Sequence, residues 1–166
     1  MRISLVAALA LAALLGAAEA QQPAPGATAT IKDRDGKTLG EAKLAQMEQG
    51  LVVHLELEGL PPGWHGVHVH GAGKCEPPFA SAGGHFNPAN RKHGLGAEGS
   101  HAGDLPNIFA DPSGHARAEL VAHGVKLADL RGPSGASIVV HAKEDDYATD
   151  PAGNSGDRIA CGVVGS

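Results

Sequence analysis

Six histidines and one aspartate fall in the forty residues from His65 to Asp104, which contain H-G-V-H-V-H-G, A-G-G-H-F-N-P, R-K-H-G and S-H-A-G-D-L. Imidazole and carboxylate are groups that bind metals and move protons. His68 and His70 flank Val69. Alternate side chains of a strand share a face, so the two imidazoles project together while Val69 turns into the core behind them. That is half of a four-nitrogen metal site on a rigid element. His85, His93, His101 and Asp104 follow at irregular intervals in a Gly- and Pro-rich stretch, which suits ligands gathered by loop folding. His141 ends a later strand-like run, Ala136 to His141. An isolated H-x-H is weak evidence, because two alternating histidines also sit well on a wet strand face. Four further ligand-type residues and His141 weigh against that here.

Three histidines with one aspartate make a plausible tetrahedral zinc set, and four imidazoles suit tetragonal copper. Taking His68, His70, His85 and His141 for one metal and His85, His93, His101 and Asp104 for the other uses His85 twice. An imidazole shared in that way has lost both ring protons.

At this point the chain closely resembles the Cu,Zn superoxide dismutase family. The motifs that carry the likeness are H-G-V-H-V-H-G, S-A-G-G-H-F-N-P, K-H-G, H-A-G-D-L, V-V-H-A-K-E-D-D and G-N-S-G-D-R-I-A-C-G-V-V-G, from residue 65 to the C-terminus. The resemblance implies disproportionation of superoxide to dioxygen and hydrogen peroxide, by alternate reduction and oxidation of a copper ion bridged to zinc through His85. One copper per subunit would be held by His68, His70, His85 and His141, and one zinc by His85, His93, His101 and Asp104. Arg158, in G-D-R-I-A-C-G, matches the family's active-site arginine, and with His85 it is the expected catalytic residue. Asp145 matches the aspartate that links a copper-ligand ring to a zinc-ligand ring, here His68 to His93; its neighbour Asp146 fits the same place one residue along. Lys143 either adds to the positive field or is simply solvated. A homodimer is a possible assembly, with no interface identified. The competing reading is a non-catalytic exported copper/zinc-binding protein on the same fold. Such a binder needs no anion guide, and a copper-only relative would lack the zinc set.

Cys75 and Cys161 are the only cysteines. They pair, remain free thiols, or add a metal ligand; an oxidising compartment and their place outside the histidine cluster favour pairing. In the family the matching pair is a disulfide tying the metal-site loop to the last strand, and three residues before Cys161 stands Arg158.

Arg2, the apolar run Ile3 to Leu15 and Ala18-Glu19-Ala20 read as a secretory signal peptide over residues 1–20, too short for a stop-transfer helix. A mobile Pro/Ala/Gly tail over 21–27 and one domain over 28–166 follow, with the periplasm as the expected compartment. Arg2 and Glu19 cancel, so the exported chain keeps the net charge of −5. That balance argues against nucleic acid and anionic lipid as partners. No membrane association is expected after cleavage.

The elements that must position the site read as short strands. Leu51, Val53, Leu55 and Leu57 alternate with Val52, His54, Glu56 and Glu58, a half-buried strand with His54 on its solvated face. Asn107 to Ala110 and Ala116 to Val121 suggest a hairpin across Asp111-Pro112-Ser113-Gly114. His115 and His123 read as surface, Leu127 to Leu130 as a single helical turn, and His65 as a structural hydrogen-bonder facing away from His68. Eight strand candidates between Gly/Pro turns indicate an all-β sandwich or flattened barrel, and the resemblance makes it an eight-stranded Greek-key β-barrel with two long functional loops. With an aromatic fraction of only 3%, small and β-branched residues must fill the core.

Overall fold

A computed structural model describes residues 26–96 and 100–165. The expected signal segment and most of the expected tail lie outside the described residues. Gly26 and Ala27, assigned to the tail from sequence, are already tied to the sheet: the Gly26 N–H donates to the Leu44 carbonyl at 2.8 Å, and Ala27 is the buried first residue of β1.

The described residues form nine strands: β1 (Ala27–Asp33), β2 (Thr38–Met47), β3 (Gly50–Leu57), β4 (Gly63–His65), β5 (Val67–His70), β6 (Ile108–Ala110), β7 (Ala116–His123), β8 (Ser137–His141) and β9 (Arg158–Val163). The expected helical turn is α1 (Leu127–Leu130). Seven strands form one curled antiparallel sheet in the order β5-β8-β9-β1-β2-β3-β7, and β4 pairs with β6 in a separate ribbon. The last strand returns beside the first, as in Greek-key connections.

The described strands agree with the eight expected but for one extra, which arises because the strand carrying His68 breaks at Gly66. That residue leaves the ladder: its N–H donates to the Lys143 carbonyl, and its carbonyl accepts from His141 N–H at 2.9 Å. The expected hairpin is a corner instead. Asp111 makes the turn, its Oδ1 accepting from Ser113 N, Ser113 Oγ and His115 N. Beyond that turn β6 pairs with β4 and β7 pairs with β3. The chain turns a corner between two sheets, which a local pattern of turn residues cannot distinguish from a two-stranded hairpin.

Alternation does the packing. Ala29 and Ile31 of β1, Ala42 and Leu44 of β2, and Leu51, Val53, Leu55 and Leu57 of β3 all enter one core with Val67, Val69, Ile138 and Val140. Each buried Leu or Ile contributes about 1.5–3 kcal/mol by leaving water. His54 lies on the outer face opposite Lys43 and Glu119, with Nδ1 3.0 Å from Glu119 Oε1. His115 Nε2 lies 3.9 Å from Glu56 Oε1 on the surface.

The inward position of Val67, Val69, Ile138 and Val140 puts His68, His70 and His141 on the outer face of the β5–β8 pair. That face is dry, since the three histidines are buried. Two loops cover it, the first through its residues 71–96 and 100–107 and the second through 142–157.

Candidate metal centre

β5 ends the seven-stranded sheet, and an edge strand has backbone groups to offer. The loop takes them at Val69. Phe86 N–H donates to the Val69 carbonyl, Val69 N–H donates to the Gly103 carbonyl, and Gly103 N–H donates to the Phe86 carbonyl, each at 2.8 Å. Phe86 follows His85 and Gly103 precedes Asp104, so these three bonds bring both ligand-type residues beside His68 and His70. Only glycine fits at 103, because a Cβ there would collide with the Val69 carbonyl oxygen.

The histidines are gathered into two adjoining groups. In the first, one nitrogen each from His68, His70, His85 and His141 lies within 4.8 Å of all the others. In the second, His85, His93, His101 and Asp104 meet the same limit. His85 belongs to both. Asp104 Oδ1 is 2.7 Å from His85 Nδ1, 3.1 Å from His93 Nδ1 and 3.2 Å from His101 Nδ1, and the last is 3.3 Å from His85 Nδ1. Four ligand atoms around a tetrahedral zinc at its usual bond lengths stand about 3.3 Å apart, so this set is close to the size zinc requires.

The outer nitrogens of the first group are all engaged. His68 Nε2 is 2.7 Å from Asp145 Oδ2, His70 Nδ1 is 3.0 Å from the Gly83 carbonyl, and His141 Nδ1 is 3.3 Å from the Gly156 carbonyl. The inner ones are not. Among the described residues, His68 Nδ1, His70 Nε2, His85 Nε2, His93 Nδ1 and His141 Nε2 are buried without a hydrogen-bond partner. An unmatched buried polar atom is costly; here four of the five belong to one group, and a copper ion would satisfy all four.

Burial lowers the pKa of three of these rings, His70, His85 and His141. Desolvation first, then the neighbouring His85, lowers the His70 pKa to about 2; desolvation and then His68 take His141 to about 3. Desolvation lowers His85 to about 4 against the opposing pull of Asp104. All three are neutral at pH 7, the form that binds metal. Asp104 and Asp145 are raised by burial but lowered more by hydrogen bonds, from His85 and Gly94 N–H on Asp104 and from His68, His93 and Tyr147 N–H on Asp145. Both stay charged.

A pH dependence follows for the metal-free protein. Unfolded histidine titrates near 6.5, so below that pH the unfolded chain binds protons that the folded one refuses, and stability falls as pH falls. Between pH 7 and 5.5 the loss is roughly 1 kcal/mol for each of the three histidines. Melting curves across this interval test it; a flat melting temperature would contradict the neutral, buried assignment.

Asp145 and Asp146 part company. Asp145 is buried, with Oδ2 on His68 and Oδ1 2.9 Å from His93 Nε2. Asp146 is an exposed turn residue, accepting from Ala148 N, Thr149 N, Thr149 Oγ1 and Asn154 Nδ2. Several supports of this site carry no signal in the sequence motifs. The Asn107 side chain clamps the Asp145 backbone from both sides, while Asn107 N–H donates to Tyr147 Oη. Gly153 lies against Asp145 and His93 so closely that a Cβ would strike the carboxylate. His65 has the structural part expected of it, with Nδ1 and Nε2 each 2.7 Å from the carbonyls of His141 and Pro61. Lys143 contributes through its backbone, bonded to Ser155 and Gly66.

Arg158 is half-buried, where β9 begins. Nη1 donates to the Phe79 carbonyl and Nη2 to the Gly83 carbonyl, both at 2.7 Å. Gly83 O is thus shared with His70. Cys75 and Cys161 are joined, with Cα atoms 5.6 Å apart, fastening this same loop to β9.

Comparison with known proteins places this geometry. The profile of the family described as copper/zinc superoxide dismutase (SODC) matches residues 38–164. A protein of Aquifex aeolicus named superoxide dismutase [Cu-Zn] 1 is 46% identical over 144 residues, 82% of this chain and 85% of its own. Among solved structures, an SOD-like protein from Bacillus subtilis superposes with a TM-score of 0.80 at 36% identity, over 84% of this chain and 99% of its own. The Cu/Zn superoxide dismutase from Brucella abortus gives 0.71 at 34% identity, over 83% and 98%.

Proposed function

The chain belongs to the copper/zinc superoxide dismutase family, and from that premise we propose how its own residues divide the work of disproportionating superoxide. It is an oxidoreductase of copper and zinc. The observation that carries this reading in the molecule itself is the set of inward ring nitrogens of His68, His70, His85 and His141, buried and unpartnered around one point.

We assign copper to those four residues and zinc to His85, His93, His101 and Asp104. When bound, copper supplies the one-electron oxidation and reduction of superoxide, chemistry that zinc lacks. Asp145 fixes the rings of His68 and His93 through their outer nitrogens, which sets tautomer and orientation together. Nε2 of His85 is the natural proton carrier, because it faces the copper group while Nδ1 on the far side is held by the zinc group. Arg158 orients the anion: its guanidinium keeps its charge despite partial burial and is braced on two loop carbonyls beside His70. We also place the protein outside the cytoplasm, in the periplasm. The apolar leader read in residues 1–20 and the Cys75–Cys161 bridge support that compartment. Among the described residues no helix is long and apolar enough to cross a membrane.

Copper and zinc content measured alongside superoxide consumption tests the assignment. One copper and one zinc per chain with dismutation is expected, and copper removal should abolish turnover. Full metal content with no dismutation would favour the metal-binding alternative.

A further inference from the structure

Arg34 lies in the β1–β2 turn, remote in sequence from every motif above. The β1–β9 ladder ends at the pair Asp33–Ala160, so Arg34 stands beside the start of β9. There β9 is irregular. Val140 of β8 is opposite Ala160, but His141 is opposite Arg158, leaving Ile159 as the extra residue of a bulge. A bulge takes a residue out of the ladder and bends the strand, so the backbone around it draws partners from elsewhere. Arg34 is such a partner. Its Nε donates to the Arg158 carbonyl at 2.8 Å, and its Nη2 lies 3.3 Å from Asp157 Oδ2. One guanidinium grips two consecutive residues where the 142–157 loop enters β9. From that anchored backbone the Arg158 side chain reaches Phe79 O and Gly83 O, the second of which also meets His70 Nδ1. A displaced bulge would therefore move the Arg158 guanidinium and loosen a carbonyl that orients a histidine of the copper group.

We propose that Arg34 is a positioning residue for the dismutation reaction, holding Arg158 at the bulge so that its guanidinium stays braced beside the copper group. The inference rests on the assignment of Arg158 as the anion guide. Arg34 is not a second guide. Its charge is matched by Asp157 in an exposed pair, and a neutralised pair adds little to the field felt by an approaching anion. Its planar fork is what matters, because a carbonyl and a carboxylate are met at once in fixed directions, which a single ammonium does not reproduce.

A double-mutant cycle on protein loaded with copper and zinc to matched content tests this. Wild type, R34A, R158A and the double variant are compared, with R34K as the conservative replacement. The readouts are kcat/KM for superoxide and, independently of turnover, the affinity for azide as a small anionic copper ligand, followed by visible absorption. R34A is expected to lower both by about three- to tenfold, a coupling typical of residues sharing one network. R34K should restore part of the loss, and R34A should add nothing in the R158A background. An equal loss from R34A in both backgrounds, wild-type behaviour of R34A, or full rescue by R34K would each overturn the inference. R158A without effect on either readout would strike the guide assignment itself and remove the basis for Arg34.

Discussion

Arg158→Ala is expected to lower superoxide turnover by about ten- to a hundredfold at matched metal content, within the range that focused electrostatic attraction supplies. The chain carries a net charge of −5, so an anion approaching from an arbitrary direction meets repulsion, and only a local positive channel reverses it. The Arg158 guanidinium is fixed by two 2.7 Å hydrogen bonds to Phe79 O and Gly83 O, so it offers charge and direction together at no further ordering cost. Arg158→Lys should retain part of the activity, because the charge survives but the two-point brace does not. Salt gives the sharper test. The screening length shrinks to about 3 Å near 1 M salt, so the wild type should slow with ionic strength more steeply than the alanine variant. Superimposable salt profiles with equal rates would reduce Arg158 to a loop-fastening residue.

What the chain discloses by itself follows the range of each physical signal. The pairing of His68 with His70 is readable because a strand repeats every two residues, and Val69 is buried between them as that period requires. The all-β class is readable for the same reason, from alternation in segments such as Leu51 to Leu57. The break at Gly66 is not readable, since the atoms that interrupt the ladder, Lys143 O and His141 N, come from more than seventy residues away. Asp145 and Asp146 are indistinguishable as neighbours in one motif; burial beside His68 and His93 separates them in three dimensions. Gly103 could have been suspected from H-A-G-D-L, where a glycine adjoins a ligand-type aspartate, although its reason, closeness to Val69 O, is tertiary. Arg34 has no local signal. A turn residue 124 positions from its hydrogen-bond acceptor is visible only once β1 lies against β9.

Reduction of the Cys75–Cys161 bridge is expected to cost stability and activity together. The bridge closes a separation of 86 residues; chain entropy alone would make it worth about 4.6 kcal/mol, an upper figure because residual structure in the unfolded chain reduces it. A net loss of about 3 kcal/mol corresponds to a fall in melting temperature of roughly 10 °C for a domain of this size. The link to activity is geometric. Cys161 is embedded in the sheet between Lys32 and Val139, whereas Cys75 belongs to the loop whose Phe79 and Gly83 carbonyls brace Arg158. That loop segment has only a small apolar cluster of its own, Phe79 and Ala82 against Val139 and Cys161. Without the bridge, the carbonyls that hold Arg158 and orient His70 are tethered only by hydrogen bonds and that small cluster. Reduced protein, with thiols blocked and metal content restored, should therefore lose most of the Arg158-dependent part of its rate and release copper faster to a competing chelator. Thiol titration of the unreduced, unfolded chain should find none. Two reactive thiols there would refute the bridge, and a reduced protein that melts lower but keeps its rate and its copper would show that the disulfide stabilises the fold without governing the site.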